Sequence, residues 1–358
     1  VGDFYVLFDK EFRKQIEELK KNQPELADKD AEDLFLLTEI GSNAQKMLQQ
    51  WEQNDPEVHK LWAKMNSWVI EGFDETYKKM GVVFEHTYLE SQTYALGRDI
   101  VLKGLEDGVF KKREDGAIII EFADDNLGDK VVLRNDGTSL YVTQDIGTTL
   151  LKQKDFSPDR QIWVVGDEQM YHFKVLFEIL KALGYDWADQ LTHMAYGMVN
   201  LPSGRMKSRE GTVVDADDLI IELEKLAEEA TLQRSKEVPE DIKKRAEAIG
   251  LAALKFMLLK VNPKTTILFD PQASIKFEGD TGPYIMYAYA RISSMLRRVE
   301  NLQETVSKAQ WELLVDETEK KLALRCALFP AAVKKAAKEL DSSVLAAYLL
   351  DLAQDFST

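Results

Sequence analysis

Apolar side chains recur every three or four residues through the first eighty positions: Phe12, Ile16 and Leu19, then runs at 47–51 and 58–77. That is the period of helices that bury one face. Asp55-Pro56-Glu57 marks a helix start, with Asp as cap and Pro in the first turn, where its missing N–H costs nothing. Trp51, Trp62, Trp68, Phe73 and Tyr77 fall within this helical region and are expected as core residues without chemistry.

From Val82 the period shortens. Residues 84–88 predict a strand, and residues 94–107 a helix ending at Gly108. Residues 117–122 and 130–134 alternate like paired strands around Asp- and Gly-rich turns. Short β-branched and aromatic runs at 138–142, 161–165 and 193–199 predict three more strands, separated by helices at 144–154 and 168–184. Alternation of strand and helix is the signature of a parallel sheet covered by helices, and ligands bind such sheets at the carboxyl ends of the strands. Further on come an acidic helix at 215–230, an amphipathic one at 241–259 and an extended piece at 265–269. From Gly282 everything reads as helix: Ile285, Tyr289, Ile292, Leu296 and Val299 form an apolar seam, and helices at 311–329, 330–340 and 343–356 can cover it. The expected fold is therefore an α/β parallel-sheet domain over 1–276, with a helical insertion at about 1–80 and linking helices at 215–276. An all-α helical bundle over 277–358 follows.

A chain of 358 residues with 45% hydrophobic and 30% charged residues has the make-up of a soluble protein with two domains. No apolar run approaches the ~20 residues that span a bilayer, and residues 1–10 lack the layout of a signal peptide, so the expected location is the cytoplasm. Cys326 is the only cysteine, which excludes an internal disulfide, and His59, His86, His172 and His193 are too scattered for a zinc cluster; no metal site is expected. A net charge of −16 argues against nucleic-acid binding by bulk electrostatics. The imbalance is uneven, however. Residues 277–358 hold ten Lys and Arg against twelve Asp and Glu, so any such contact would use local patches there.

Three short segments carry chemistry. Residues 204–214 place Arg205, Lys207 and Arg209 between Gly204 and Gly211, which is the build of a loop that grips polyphosphate: glycines let the backbone approach, and the cations meet phosphate oxygens. Tyr141 and Asp145 stand four apart where a strand is expected to run into a helix, so one helical face would carry both. A carboxylate beside a phenol suits a guanidinium, which needs a bidentate acceptor and a flat surface; the same residues also fit a helix cap and a core aromatic. Gly166, Gln169 and His172 lie at the start of the next helix, where outward-pointing amides favour an anionic ligand, and His172 could serve ribose or phosphate.

Together the segments 137–147, 164–172, 196–214 and 277–291 resemble the arginyl-tRNA synthetases, class I aminoacyl-tRNA synthetases, in order and over nearly the whole chain. The resemblance implies a Rossmann-like catalytic domain followed by a helical anticodon-binding domain beginning near 277–291. It places the arginine side-chain site on Tyr141, Asp145 and Gln169, and ATP contacts on Gly166, His172, Met206, Lys207 and Ser208. The signature loop of the class falls on Arg205-Met206-Lys207-Ser208-Arg209; Ser208 replaces the second lysine of the general pattern, and Lys207, assisted by Arg209 and Arg205, is read as the pyrophosphate partner. The His-Ile-Gly-His element of the class does not occur in the chain, which is therefore expected to be an inactive truncated piece lacking its N-terminal part.

The activity so implied is ATP-dependent activation of L-arginine to arginyl-adenylate and transfer to tRNA(Arg), by a monomer, with Mg²⁺ sharing the phosphate charge. In the helical part, Tyr284, Tyr287, Arg291, Arg298, Lys334 and Lys338 are the tRNA candidates, tyrosines for stacking and cations for phosphate. Two rival readings remain: a class I synthetase for another amino acid, and a non-catalytic tRNA-binding fragment. The lack of a cysteine cluster weighs against methionine and cysteine, and the Tyr141–Asp145 pair against glutamate.

Overall fold

The computed structural model describes residues 2–93, 95–124, 126–200, 215–234 and 238–358. They fall into two compact units that interleave along the chain. One is built from the described residues of 1–83, 200–254 and 269–276, the other from those of 84–199, 255–268 and 277–358.

The N-terminal helices are α1 (Gly2–Asn22), α2 (Ala31–Leu34), α3 (Glu39–Glu52) and α4 (Pro56–Met80), and capping chemistry sets their starts. The Thr38 hydroxyl accepts from the Gly41 N–H at the head of α3, and Asp55 accepts from the N–H groups of Glu57 and Val58 at the head of α4, with Pro56 in its first turn. The expectation that this layer buries its aromatics is corrected. Trp62, Trp68, Phe73 and Tyr77 are 38%, 52%, 55% and 37% exposed. Residues of α4 from Val58 to Val69 face α3 across a concavity, and further along α4 the Thr76 hydroxyl donates to Asp217 of a later helix at 3.0 Å. Trp51 alone is half-buried, stacked on His59 and edge-on to Trp62.

The second unit opens with α5 (Glu90–Thr93) and α6 (Leu96–Glu106), then an antiparallel meander of β1 (Lys111–Lys112), β2 (Ile118–Ile120) and β3 (Lys130–Leu133). Helix α7 (Tyr141–Phe156), β4 (Gln161–Gly166), α8 (Met170–Ala182) and β5 (Leu191–Tyr196) follow. Strands β4 and β5 run parallel in register from Gln161 opposite Leu191 to Gly166 opposite Tyr196, with α8 as their crossover. Ile146 of α7, Leu176, Ile179 and Leu180 of α8, and Ile118, Ile120 and Val132 of the meander interlock in one core cluster. Helices α6 and α7 cross closely: a Cβ on Gly97 would lie 1.6 Å from the Thr143 carbonyl oxygen, and one on Gly147 2.5 Å from the Gly97 nitrogen.

Two expected strands are not formed. Residues 84–88 are irregular, with the Tyr88 hydroxyl donating to Asp155 at 2.7 Å instead of a backbone ladder. At 138–142 a single bridge joins Ser139 to Leu133, and the helix begins at Tyr141. Thr143 is the reason: its hydroxyl donates to the Val132 carbonyl and accepts from the Leu140 N–H at 3.2 Å, so it turns the chain into α7.

Beyond β6 (Val199–Asn200) the chain continues through α9 (Ala216–Arg234), α10 (Ile242–Leu259), β7 (Ile267–Leu268) and α11 (Pro271–Ser274). The bundle comprises α12 (Gly282–Leu296), α13 (Leu302–Ser307), α14 (Glu317–Ala327), α15 (Phe329–Glu339) and α16 (Ser343–Ser357). Helices α12, α14 and α15 all pack on α16. Arg325 donates to Asp355 at 2.8 Å and Asp351 at 3.0 Å, Lys321 reaches Asp355 at 2.7 Å, and the Tyr348 hydroxyl donates to the Arg325 carbonyl at 2.8 Å. The expected seam on α12 is rotated. Ala288 and Pro283 are buried, whereas Tyr289 is 72%, Leu296 46% and Val299 38% exposed, because small residues let α12 approach its neighbours.

Candidate functional site

Tyr141 is the first residue of α7 and Asp145 follows one turn later, so the two share a helix face. Tyr141 projects into solvent, 77% exposed. Asp145 points toward α8, where His172 Nε2 meets its Oδ2 at 2.6 Å; the two side chains are 30% and 24% exposed. A carboxylate only accepts, so Nε2 carries the proton of this bond. His172 stands in the first turn of α8, edge-on to the ring of Phe173, which belongs to the core cluster. The imidazole is thus held by packed structure on one side and engages the acid on the other.

Lys152, two turns along α7 from Asp145, was not singled out by the sequence reading; its position seven residues after the acid was the available signal. Its Nζ lies 4.1 Å above the ring of Trp163. Burial holds this ammonium below its ordinary pKa, with the charge of Asp145 opposing the shift. Asp145 is therefore not capping its helix, a place taken by Leu140, and among the described residues its side-chain hydrogen-bond partner is His172.

Gly166 ends β4 opposite Tyr196, and Asp167, Glu168 and Gln169 form a 3-10 turn leading into α8. Gln169 is exposed, three residues before His172. The carboxyl ends of both parallel strands and the amino end of α8 therefore lie at the same edge as the Asp145–His172 pair, the place an α/β sheet offers to ligands. His172, expected to serve ATP, has its Nε2 on Asp145. Arg205, Met206, Lys207, Ser208 and Arg209 lie outside the described residues.

In the bundle, Arg291 places its guanidinium 5.9 Å from the Tyr287 ring and 5.5 Å from that of Phe356. Tyr287 is 54% exposed and Tyr284 half-buried, while Arg298 is exposed. Lys334 and Lys338 are exposed one turn apart on α15. A concavity of about 350 Å³ lies elsewhere, between α3 and α4, lined by Met47, Leu48, Trp51, Leu61, Trp62 and Met65 among others. Its lining holds no ionisable group, so it has nothing to offer a phosphate or a guanidinium. Among the described residues no three His, Cys, Asp or Glu side chains converge as metal ligands, and no helix is long and apolar enough to cross a membrane.

Comparison with known proteins agrees with the order of these parts. Residues 4–270 match the family model of tRNA synthetases class I (R), catalytic domain, and residues 285–358 match the DALR anticodon binding domain. The arginine–tRNA ligase of Treponema denticola is 47% identical over 363 residues, covering 100% of this chain and 58% of that protein. That of Bacteroides thetaiotaomicron is 44% identical over 364 residues, covering 100% and 60%. The chain thus spans about three fifths of the length of these relatives. In fold it is similar to the arginyl-tRNA synthetase of Plasmodium falciparum, with a TM-score of 0.74 at 23% identity over 97% of this chain and 60% of that one. The Thermus thermophilus arginyl-tRNA synthetase gives a TM-score of 0.67 at 24% identity, covering 90% and 61%. A class I catalytic match over more than half of the chain, with an anticodon-binding match following it, settles the kinship: the chain belongs to the arginyl-tRNA synthetase family.

Proposed function

We propose that this chain is the part of an arginine–tRNA ligase that recognises the arginine side chain, the pyrophosphate end of ATP and the anticodon arm of tRNA(Arg). The observation that carries the reading is Asp145, a half-buried carboxylate at the ligand edge of the parallel strands, engaged among the described residues by the imidazole of His172. The two oxygens of such an acid suit the fork of a guanidinium. Tyr141, on the same helix face and largely exposed, offers a ring against which the planar group can lie, and Gln169 a further polar contact.

In the proposed reaction an arginine carboxylate oxygen attacks the α-phosphorus of ATP; a P–O bond forms and pyrophosphate leaves with the electron pair. A ribose hydroxyl of the tRNA then attacks the arginyl carbonyl; an ester C–O bond forms, the acyl–phosphate bond breaks, AMP leaves with the electron pair and the hydroxyl proton is lost. Attack at phosphorus demands positioning and charge stabilisation. Lys207, with Arg209 and Arg205, is assigned to the charge that grows on pyrophosphate, and Gly166, Met206 and Ser208 to ATP. When bound with the nucleotide, Mg²⁺ would supply charge neutralisation on the phosphates.

Residues 277–358 are assigned to the tRNA, with Tyr284 and Tyr287 as stacking surfaces and Arg291, Arg298, Lys334 and Lys338 as phosphate contacts, in a cytoplasmic monomer. Arginine-dependent ATP–pyrophosphate exchange in the full-length protein tests the reading. Asp145→Ala is expected to abolish it, and unchanged exchange would refute the assignment.

A further inference from the structure

The family comparisons leave the roles of individual side chains open, and His172 has a geometry that fixes one. We infer that His172 is a positioning residue: its Nε2–H holds Asp145 in the orientation that a guanidinium fork requires while leaving Oδ1 open to the ligand. The inference rests on the proposed reading of Asp145 as the arginine acceptor.

Three observations carry it. The first is the bond itself, His172 Nε2 to Asp145 Oδ2 at 2.6 Å, joining the first turn of α8 to the second turn of α7. The second is the anchoring of the imidazole. His172 lies edge-on to Phe173, whose ring is 4.5 Å from that of His193, and His193 Nε2 is in turn 3.0 Å from the Val165 carbonyl of β4. Asp145 is thereby referred to the sheet, although it sits on a helix. The third is the place of the nearest described lysine: the ammonium of Lys152 lies over the Trp163 ring.

Chemistry then favours histidine over a cation at this place. A carboxylate offers about four lone-pair directions on two oxygens, so one imidazole bond leaves Oδ1 and part of Oδ2 free for the two parallel N–H groups of arginine. A single imidazole N–H fixes the torsion of the acid without occupying both of its oxygens. Lysine or arginine would fix it equally well and cancel the field that attracts the substrate. Orientation matters more for arginine than for lysine, because a fork needs both oxygens in one plane, whereas a point charge does not.

The test uses the chain with L-arginine as probe, and has two arms. A ¹H–¹⁵N correlation spectrum of the imidazoles at neutral pH resolves the four histidines, with His172 identified by the resonance lost in His172→Gln. The expected result is an Nε2-bound proton on His172 whose resonance moves when L-arginine is added. A proton on Nδ1 with bare Nε2 would overturn the inference. In the second arm arginine affinity is measured by titration. His172→Ala is expected to bind about tenfold more weakly, the loss of one charge-assisted hydrogen bond. His172→Gln, which keeps a neutral donor, should recover most of the affinity, and His172→Lys, which keeps a donor but cancels the charge, should not.

Should His172→Ala fail to fold, the contrast of Gln with Lys and the position of the proton decide the matter. Wild-type arginine affinity in His172→Ala, with Asp145→Ala still unable to bind, would refute the positioning role and leave the site assignment standing. Wild-type affinity in Asp145→Ala would remove the site assignment itself.

Discussion

Asp355 holds a charge where its side chain is only 5% exposed, and it does so because Lys321 and Arg325 both reach its oxygens. Those two hydrogen bonds, that of Lys321 foremost, keep its carboxyl below the usual carboxylate range. An acid whose native pKa lies below its unfolded value of about 3.9 stabilises the fold above that value, and the contribution fades as pH falls through the native pKa. Asp355→Asn is accordingly expected to cost about 2 kcal/mol at pH 7, the scale of a hydrogen bond to a charged group, with the difference from wild type narrowing below about pH 4. Urea unfolding of both proteins at pH 7 and pH 3 checks it. At this scale the sequence was legible where residues act through local spacing: Tyr141 and Asp145 share a face because they are four apart. It was not legible where partners are distant in sequence, as for His172, which meets Asp145 across 27 residues.

Helices α6 and α7 can cross as closely as they do only because Gly97 and Gly147 present no side chain at the crossing. Gly97→Ala would drive a methyl group into the Thr143 backbone and is expected to destabilise the protein by about 3 kcal/mol, the upper range for overpacking. Gly72→Ala is the counterpart within α4: nothing lies within 4 Å of the new Cβ, and the change is expected to stabilise by about 0.5–1 kcal/mol through helix propensity alone. Paired denaturation midpoints separate the two, and equal shifts would show that the close crossing is not a constraint. Thr143 also shows why element type was misread at 138–142. β-branched Thr138, Val142 and Thr143 resemble a strand, yet the Thr143 hydroxyl satisfies backbone groups at the helix start and makes α7 begin at Tyr141. Elements with long periods or explicit caps, such as α4 behind Asp55 and Pro56, were readable because one local interaction fixes each end.

For the whole molecule, a net charge of −16 would confine the proposed tRNA contact to local basic surfaces, and Lys334 and Lys338, exposed one turn apart on α15, are the proposed pair. Replacing both by Glu is expected to weaken binding of tRNA(Arg) and to reduce the log–log salt dependence by about two, one per phosphate contact, as filter binding over a range of salt would show. The α/β class, the parallel strands and the helical C-terminal part were all readable from periodicity, since each rests on a repeat many residues long. The exposed faces of α4 and α12 were not, because amphipathic spacing says that a face is apolar but not that anything covers it. Arginine selection is the claim on which the functional account stands, and calorimetric titration of the chain with L-arginine and then with L-lysine tests it most directly. The expected outcome is saturable binding of arginine, much weaker binding of lysine, and no arginine binding in Asp145→Ala; equal responses to the two amino acids, or arginine binding untouched by that substitution, would contradict it.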